Sequence, residues 1–143
     1  MSQFLYGCQT YPWQMNVEKF AGQLPHMVAQ LAKAGFAGIE AETVMLGAYF
    51  CNWEKTAEVL NQHGVQLAAV AIHEPWLLHE ETEEERRVAD ATIEFLSHSP
   101  TAKLMFAHVA VDPDREHEPA TKPVSYTHHR TPETNAYTVC AHI

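Results

Sequence analysis

Val65-Gln66-Leu67-Ala68-Ala69-Val70-Ala71-Ile72 decides how this chain is read. After Gln66 the run is apolar on both parities, whereas a strand with one face in water alternates apolar and polar residues. Such a run is buried on both faces, as strands of parallel sheets are. Gly64 precedes it and His73-Glu74-Pro75 follows, so it is bounded as a strand.

The pattern repeats on either side. Upstream, Phe4-Leu5-Tyr6-Gly7-Cys8 is a first apolar run. A polar loop separates it from Leu24, Met27, Val28 and Leu31, which fall at helical spacing. Pro25 suits the first turn of that helix and Gly35 the position just past its end. Ala37-Gly38-Ile39-Glu40-Ala41 is the second run. A helix follows, with Asn52 as N-cap, Trp53, Ala57 and Leu60 buried, and Gly64 as its stop. Downstream of the third run, Thr82-Glu83-Glu84-Glu85 is a capping box whose glutamates complement the positive end of the helix dipole. Val88, Thr92, Phe95 and Leu96 form its buried face, and Pro100 stops it. Lys103-Leu104-Met105-Phe106-Ala107-His108-Val109-Ala110-Val111 is the fourth run. Strand starts near residues 4, 37, 66 and 103 give units of about 30 to 37 residues.

Four successive βα units with right-handed crossovers predict an α/β fold with a parallel sheet. Periodicity leaves open a doubly wound sheet and part of a closed barrel. No GxGxxG or P-loop follows the first strand, which weakens a nucleotide-binding reading.

With 18 acidic and 9 basic residues, the net charge is −9. That disfavours a nucleic-acid partner, because phosphate-backbone binding relies on clustered Lys and Arg. No apolar run approaches the roughly 20 residues of a membrane span, and the N-terminus has no signal-peptide pattern. The expected partner is a small molecule, and no membrane is expected. Cys8, Cys51 and Cys140 lack CxxC spacing and read as reduced thiols of a cytoplasmic protein.

The pattern breaks after about residue 118. From Pro123 to Ile143 there is no Leu, no Phe and no periodicity, and Arg130 is cancelled by Glu133. Two domains of unequal standing are therefore expected: an α/β domain over 1–118, which the resemblance given below makes a partial TIM barrel, and a disordered tail over 119–143. Pro123-Val124-Ser125-Tyr126-Thr127-His128 is also the translation of CCT-GTC-TCT-TAT-ACA-CAT, which resembles a transposase end sequence used as a sequencing adapter. The tail, with His128, His129 and His142, is on that reading an artefact without core contacts.

In βα barrels, chemistry sits where strands end. The first run ends in Gln9-Thr10-Tyr11-Pro12-Trp13, the second in Glu40 and Glu42, the third in His73-Glu74-Pro75-Trp76. The fourth carries His108, then Asp112 and Asp114. Singly, each has a plain explanation: a solvated strand end for the glutamates, a barrel plug for Tyr11 and Trp13, a satisfied core histidine, turn formers for the aspartates. Jointly, four successive strands deliver aromatic or hydrogen-bonding residues to one edge. Aromatics suit a sugar ring's apolar face, while carboxylate and imidazole suit its hydroxyls.

Tyr6-Gly7-Cys8-Gln9-Thr10-Tyr11-Pro12-Trp13, Ala34-Gly35-Phe36-Ala37-Gly38-Ile39-Glu40 and Ala71-Ile72-His73 resemble the xylose isomerase-like barrel superfamily over residues 4 to about 118. The superfamily includes sugar phosphate isomerases/epimerases, hydroxypyruvate isomerases and endonuclease IV-type AP endonucleases. The resemblance implies the N-terminal half of a TIM barrel, since a whole one needs about 250 residues. It also implies an enzyme using a divalent metal (Mn, Mg, Co or Zn) to move a proton between neighbouring carbons through an enediol. The metal ligands, two glutamates, an aspartate and a histidine, come from later strands, so no metal and no catalytic residue is expected here. Carried over residue by residue, Tyr11 and Trp13 would line a sugar pocket, and Glu40, His73 and His108 would contact substrate or the surrounding shell. His73 and His108 are expected to project into one concave surface. The chain alone would be inactive. Its edge strands, Phe4-Leu5-Tyr6 and Leu104-Met105-Phe106, would promote self-association. Two rivals remain: an AP endonuclease fragment with His73 and His108 on zinc, and a non-catalytic sugar-binding half-barrel closed by dimerisation.

Overall fold

The structure, a computed structural model, describes residues 4–74, 76 and 81–108, with Ala107 and His108 described by their backbone alone. Expectations for Asp112, Asp114 and the 119–143 tail lie outside the described residues.

Four strands are separated by helices: β1 (Gly7–Gln9), α1 (Tyr11–Gln14), α2 (Val17–Phe20), α3 (Leu24–Lys33), β2 (Gly38–Glu42), α4 (Thr43–Leu46), α5 (Trp53–His63), β3 (Gln66–Glu74), α6 (Glu83–Ser97) and β4 (Lys103–His108). One 3-10 turn, Gly47–Tyr49, joins α4 to the segment before α5. The sheet is parallel throughout and runs β1-β2-β3-β4. Spatial order equals chain order, whereas a doubly wound sheet reverses at a switch point.

Local chemistry accounts for the helix ends. In α3, Pro25 occupies the first turn, and Leu24, Met27, Val28 and Leu31 are buried as their spacing predicts. Gly35, at φ +86°, lets its own N–H donate to Ala32 O and that of Phe36 to Leu31 O, both 3.0 Å, satisfying two terminal carbonyls. Asn52 caps α5 through Lys55 N, and Gly64 ends it in the left-handed region. Its buried face is rotated from the expected one: Thr56 and Leu60 are fully buried, while Trp53 and Ala57 are half-buried. Thr56 is tolerated there because its hydroxyl donates to Tyr49 O and Asn52 O. The capping box at Thr82 and Glu85 forms as predicted.

The core lies between sheet and helices. Ile39, Ala41, Leu67 and Val70 pack with the buried face of α3, with Met45, Leu46, Leu60 and Phe95 completing the cluster. The Phe95 ring meets Phe50 and Trp53, each at 5.4 Å between centroids, tying α5 to α6. Beyond the strand ends, the loop after β1 is fastened to the loop after β2. Gly22 N donates to Met45 O, and a Cβ on Gly47 would stand 2.8 Å from Gly22 Cα. Gly47 also has φ +54°, so both space and backbone conformation require glycine there.

Two strand extents depart from expectation. β1 spans three residues, and Phe4, Leu5 and Tyr6 stand outside it, 83%, 67% and 71% exposed. β3 runs past Ile72 through His73 and Glu74. The 'polar loop' before α3 contains α1 and α2, whose single turns no amphipathic period announces.

No helix among the described residues is long and apolar enough to cross a membrane.

Candidate functional site

Because the strands are parallel, the ends of β1, β2 and β3 meet at one edge of the sheet. On β2, Ile39 and Ala41 point to the helices, so Glu40 and Glu42 share the opposite face. Whether β3 sends His73 to that face depends on one residue. Ile39 pairs with Leu67, but Glu40 pairs with Ala69, leaving Ala68 as a bulge. Leu67 and Val70 therefore both join the core, although three residues apart in a period-two strand. Beyond the bulge, Val70 and Ile72 are fully buried and His73 falls on the glutamate side. Without it, strict alternation from Leu67 would send His73 to the helices.

These residues form a cleft of about 140 Å³ lined by Gln9, Thr10, Tyr11, Gln14, Glu40, Glu42, Ala71 and His73. His73 Nδ1 contacts Glu42 Oε1 directly, with side chains 31% and 12% exposed. Gln9, in register with Glu40, donates from Nε2 to its Oε1 at 2.5 Å. Thr10 is the innermost group, 1% exposed. Its backbone N–H donates to Glu40 O at 2.9 Å. Its Oγ1 accepts from Glu42 N at 3.1 Å and Gln14 Nε2 at 3.3 Å. One buried threonine thus joins β1, α1 and β2 beneath the cleft.

The predicted site residues separate. Tyr11, Glu40 and His73 line the cleft together. Trp13 does not: it is half-buried against the hydrophobic core, because α1 turns that side of its single turn inward. His108 is in register with Glu74, one position beyond His73, and its side chain lies outside the described residues. Gln9, Thr10, Gln14 and Glu42 enter the site as additions. The signal for Glu42 was its two-residue spacing from Glu40 on one strand; none marked Thr10 as buried.

Behind His73, on the α6 side, the charges are tightly grouped. Burial pushes the Glu74 carboxyl above its usual range, reinforced by Glu84 and Glu85 and opposed by Arg87. Burial also works against ionised Glu85, but bonds from Thr82 and Trp76 N–H outweigh it and hold that carboxyl below its usual range. Trp76 has φ +46°, unusual for so bulky a residue, and Glu85 Oε1 accepts its N–H at 2.7 Å.

Among the described residues, no three His, Cys, Asp or Glu side chains are grouped so as to hold a metal ion. No family model, curated protein or solved structure matches this chain.

Proposed function

We propose that this chain is the first half of a (βα)8 barrel of a metal-dependent sugar or sugar-phosphate isomerase/epimerase, contributing substrate contacts without turning over alone. The observation that carries the reading is the cleft, where three consecutive strands of an unreversed parallel sheet bring hydroxyl, amide, carboxylate and imidazole groups together at their C-terminal ends. Complete small-molecule sites span roughly 300–1,000 Å³, so a cleft of about 140 Å³ suits one wall of a larger site.

In the whole barrel, a divalent metal would polarise the carbonyl next to the carbon that loses its proton. On this reading the metal ligands come from the later strands, while here Gln9 engages Glu40 and His73 engages Glu42. The work of these side chains is to bind and orient hydroxyls. The acidic balance favours this reading over an AP endonuclease, which must hold a phosphate backbone. Free Cys8 and Cys51 fit the reducing cytoplasm to which we assign the protein.

The test is the coding sequence that continues in frame after Asp114 in the source, and its full-length product. It should add four βα units ending in two glutamates, an aspartate and a histidine. With Mn²⁺ or Mg²⁺ in D₂O, the product should place deuterium on the carbon beside a ketose carbonyl. A continuation without those residues, or a folded metal-loaded product that exchanges none across a panel of ketoses and ketose phosphates, would sink the proposal.

A further inference from the structure

The cleft's hydrogen bonds specify what can enter it. A threonine hydroxyl has two lone pairs and one proton. Both lone pairs of Thr10 Oγ1 are occupied, by Glu42 N–H and the Gln14 amide. Thr10 is 1% exposed, and among the described residues nothing in the fold accepts its proton. A buried hydroxyl proton without an acceptor is unfavourable, and Thr10 lines the cleft. Its hydroxyl can therefore only donate there.

Around it stand acceptors. Gln9 occupies Glu40 Oε1 and His73 occupies Glu42 Oε1, leaving the second oxygen of each carboxylate to accept. A ligand group must then accept from Thr10 while donating to its neighbours. A hydroxyl does both; a phosphate is mainly an acceptor, and it adds negative charge beside two carboxylates.

We propose that this cleft binds the uncharged vicinal-diol end of a polyhydroxylated substrate, with Thr10 donating to one oxygen and Glu40 accepting from its neighbour, and that it excludes phosphate. This deepens the proposed function, on which it rests, by assigning the unphosphorylated end of the substrate to this half. Any phosphate is held elsewhere.

The test titrates xylitol and, separately, inorganic phosphate into the full 143-residue chain, watching the amide signals of Thr10, Glu42, Ala71 and His73 by NMR. Xylitol should shift these signals and phosphate should leave them in place. Thr10→Ser should keep the xylitol affinity within about twofold, while Thr10→Val should weaken it at least about tenfold. Should Thr10→Val fail to fold, Glu40→Gln, at a partly exposed position, carries the test with an expected weakening of about three- to tenfold. Phosphate shifting the same signals, xylitol shifting none, or undiminished xylitol binding by folded Thr10→Val or Glu40→Gln would each overturn the proposal. Xylitol binding by the chain, with no deuterium exchange by the full-length product, would sink the isomerase reading and leave the diol site standing. Phosphate binding would do the reverse.

Discussion

β1 and β3 begin from similar material and end differently. Phe4-Leu5-Tyr6-Gly7-Cys8 and Leu67-Ala68-Ala69-Val70-Ala71-Ile72 are both apolar runs. The second lies in a nine-residue strand with Val70 and Ile72 at 0% exposure; the first yields a three-residue strand with Phe4 at 83%. β3 has a strand on each side and helices behind it, whereas among the described residues β1 pairs only with β2. Apolar composition makes a strand only where neighbours take up its backbone groups and side chains. A central run can even absorb an extra residue, because flanking ladders hold it in place.

The largest expected effect comes from inserting one alanine between Ala69 and Val70, which reverses the parity of β3 beyond the bulge. Val70 and Ile72 would rotate out of the core as His73 rotated in. At about 1.5–3 kcal/mol for each buried aliphatic side chain, the loss is on the order of 3–6 kcal/mol by urea denaturation, enough to unfold a domain of ordinary stability. An insertion variant with unchanged stability and His73 still beside Glu42 would show that the parity of the strand does not set the face.

Next comes a direct contrast between the two strands. Ile72→Ala should cost about 2–5 kcal/mol, while Leu5→Ala should change stability by less than about 0.5 kcal/mol. Association should respond in the opposite order. We expect the chain to self-associate at tens of micromolar through its β1 edge, where exposed apolar side chains flank a strand paired on one side. The charge of −9 opposes this, but salt at 0.1 M screens it within about 10 Å. Replacing Phe4, Leu5 and Tyr6 with serine should shift the chain towards monomer in sedimentation velocity. A wild-type chain that is monomeric throughout would remove the edge from consideration.

The smallest effects separate the two carboxylates around α6. Glu85 has a lowered folded-state value, so its stabilisation is present above the ordinary value of 4.5 and is lost as pH falls through the folded one. Glu74 has a raised value, so its contribution is present below 4.5 and is lost as pH rises through the folded value. Glu74→Gln should therefore raise the melting temperature near pH 7, by less than about 2 °C, with the gain fading below pH 4.5. Glu85→Gln should lower it near pH 7, with the deficit shrinking on acidification. Parallel pH profiles for the two variants would contradict the opposite signs.

The sequence by itself determined the succession of elements and most of their ends. Pro25, Gly35, Asn52, Gly64 and the Thr82–Glu85 box act through the backbone within a few residues, so their effects are legible locally. It also placed Tyr11, Glu40 and His73 near one strand edge. Tertiary structure alone decided the order of the sheet, the short extent of β1 and the face of His73, because register depends on the partner strand and an inserted residue reverses every side chain beyond it. The burial of Thr10 was likewise decided there. Its lone pairs are filled from β2 and from α1, 32 and 4 residues away, and only the folded chain brings those two donors to one oxygen.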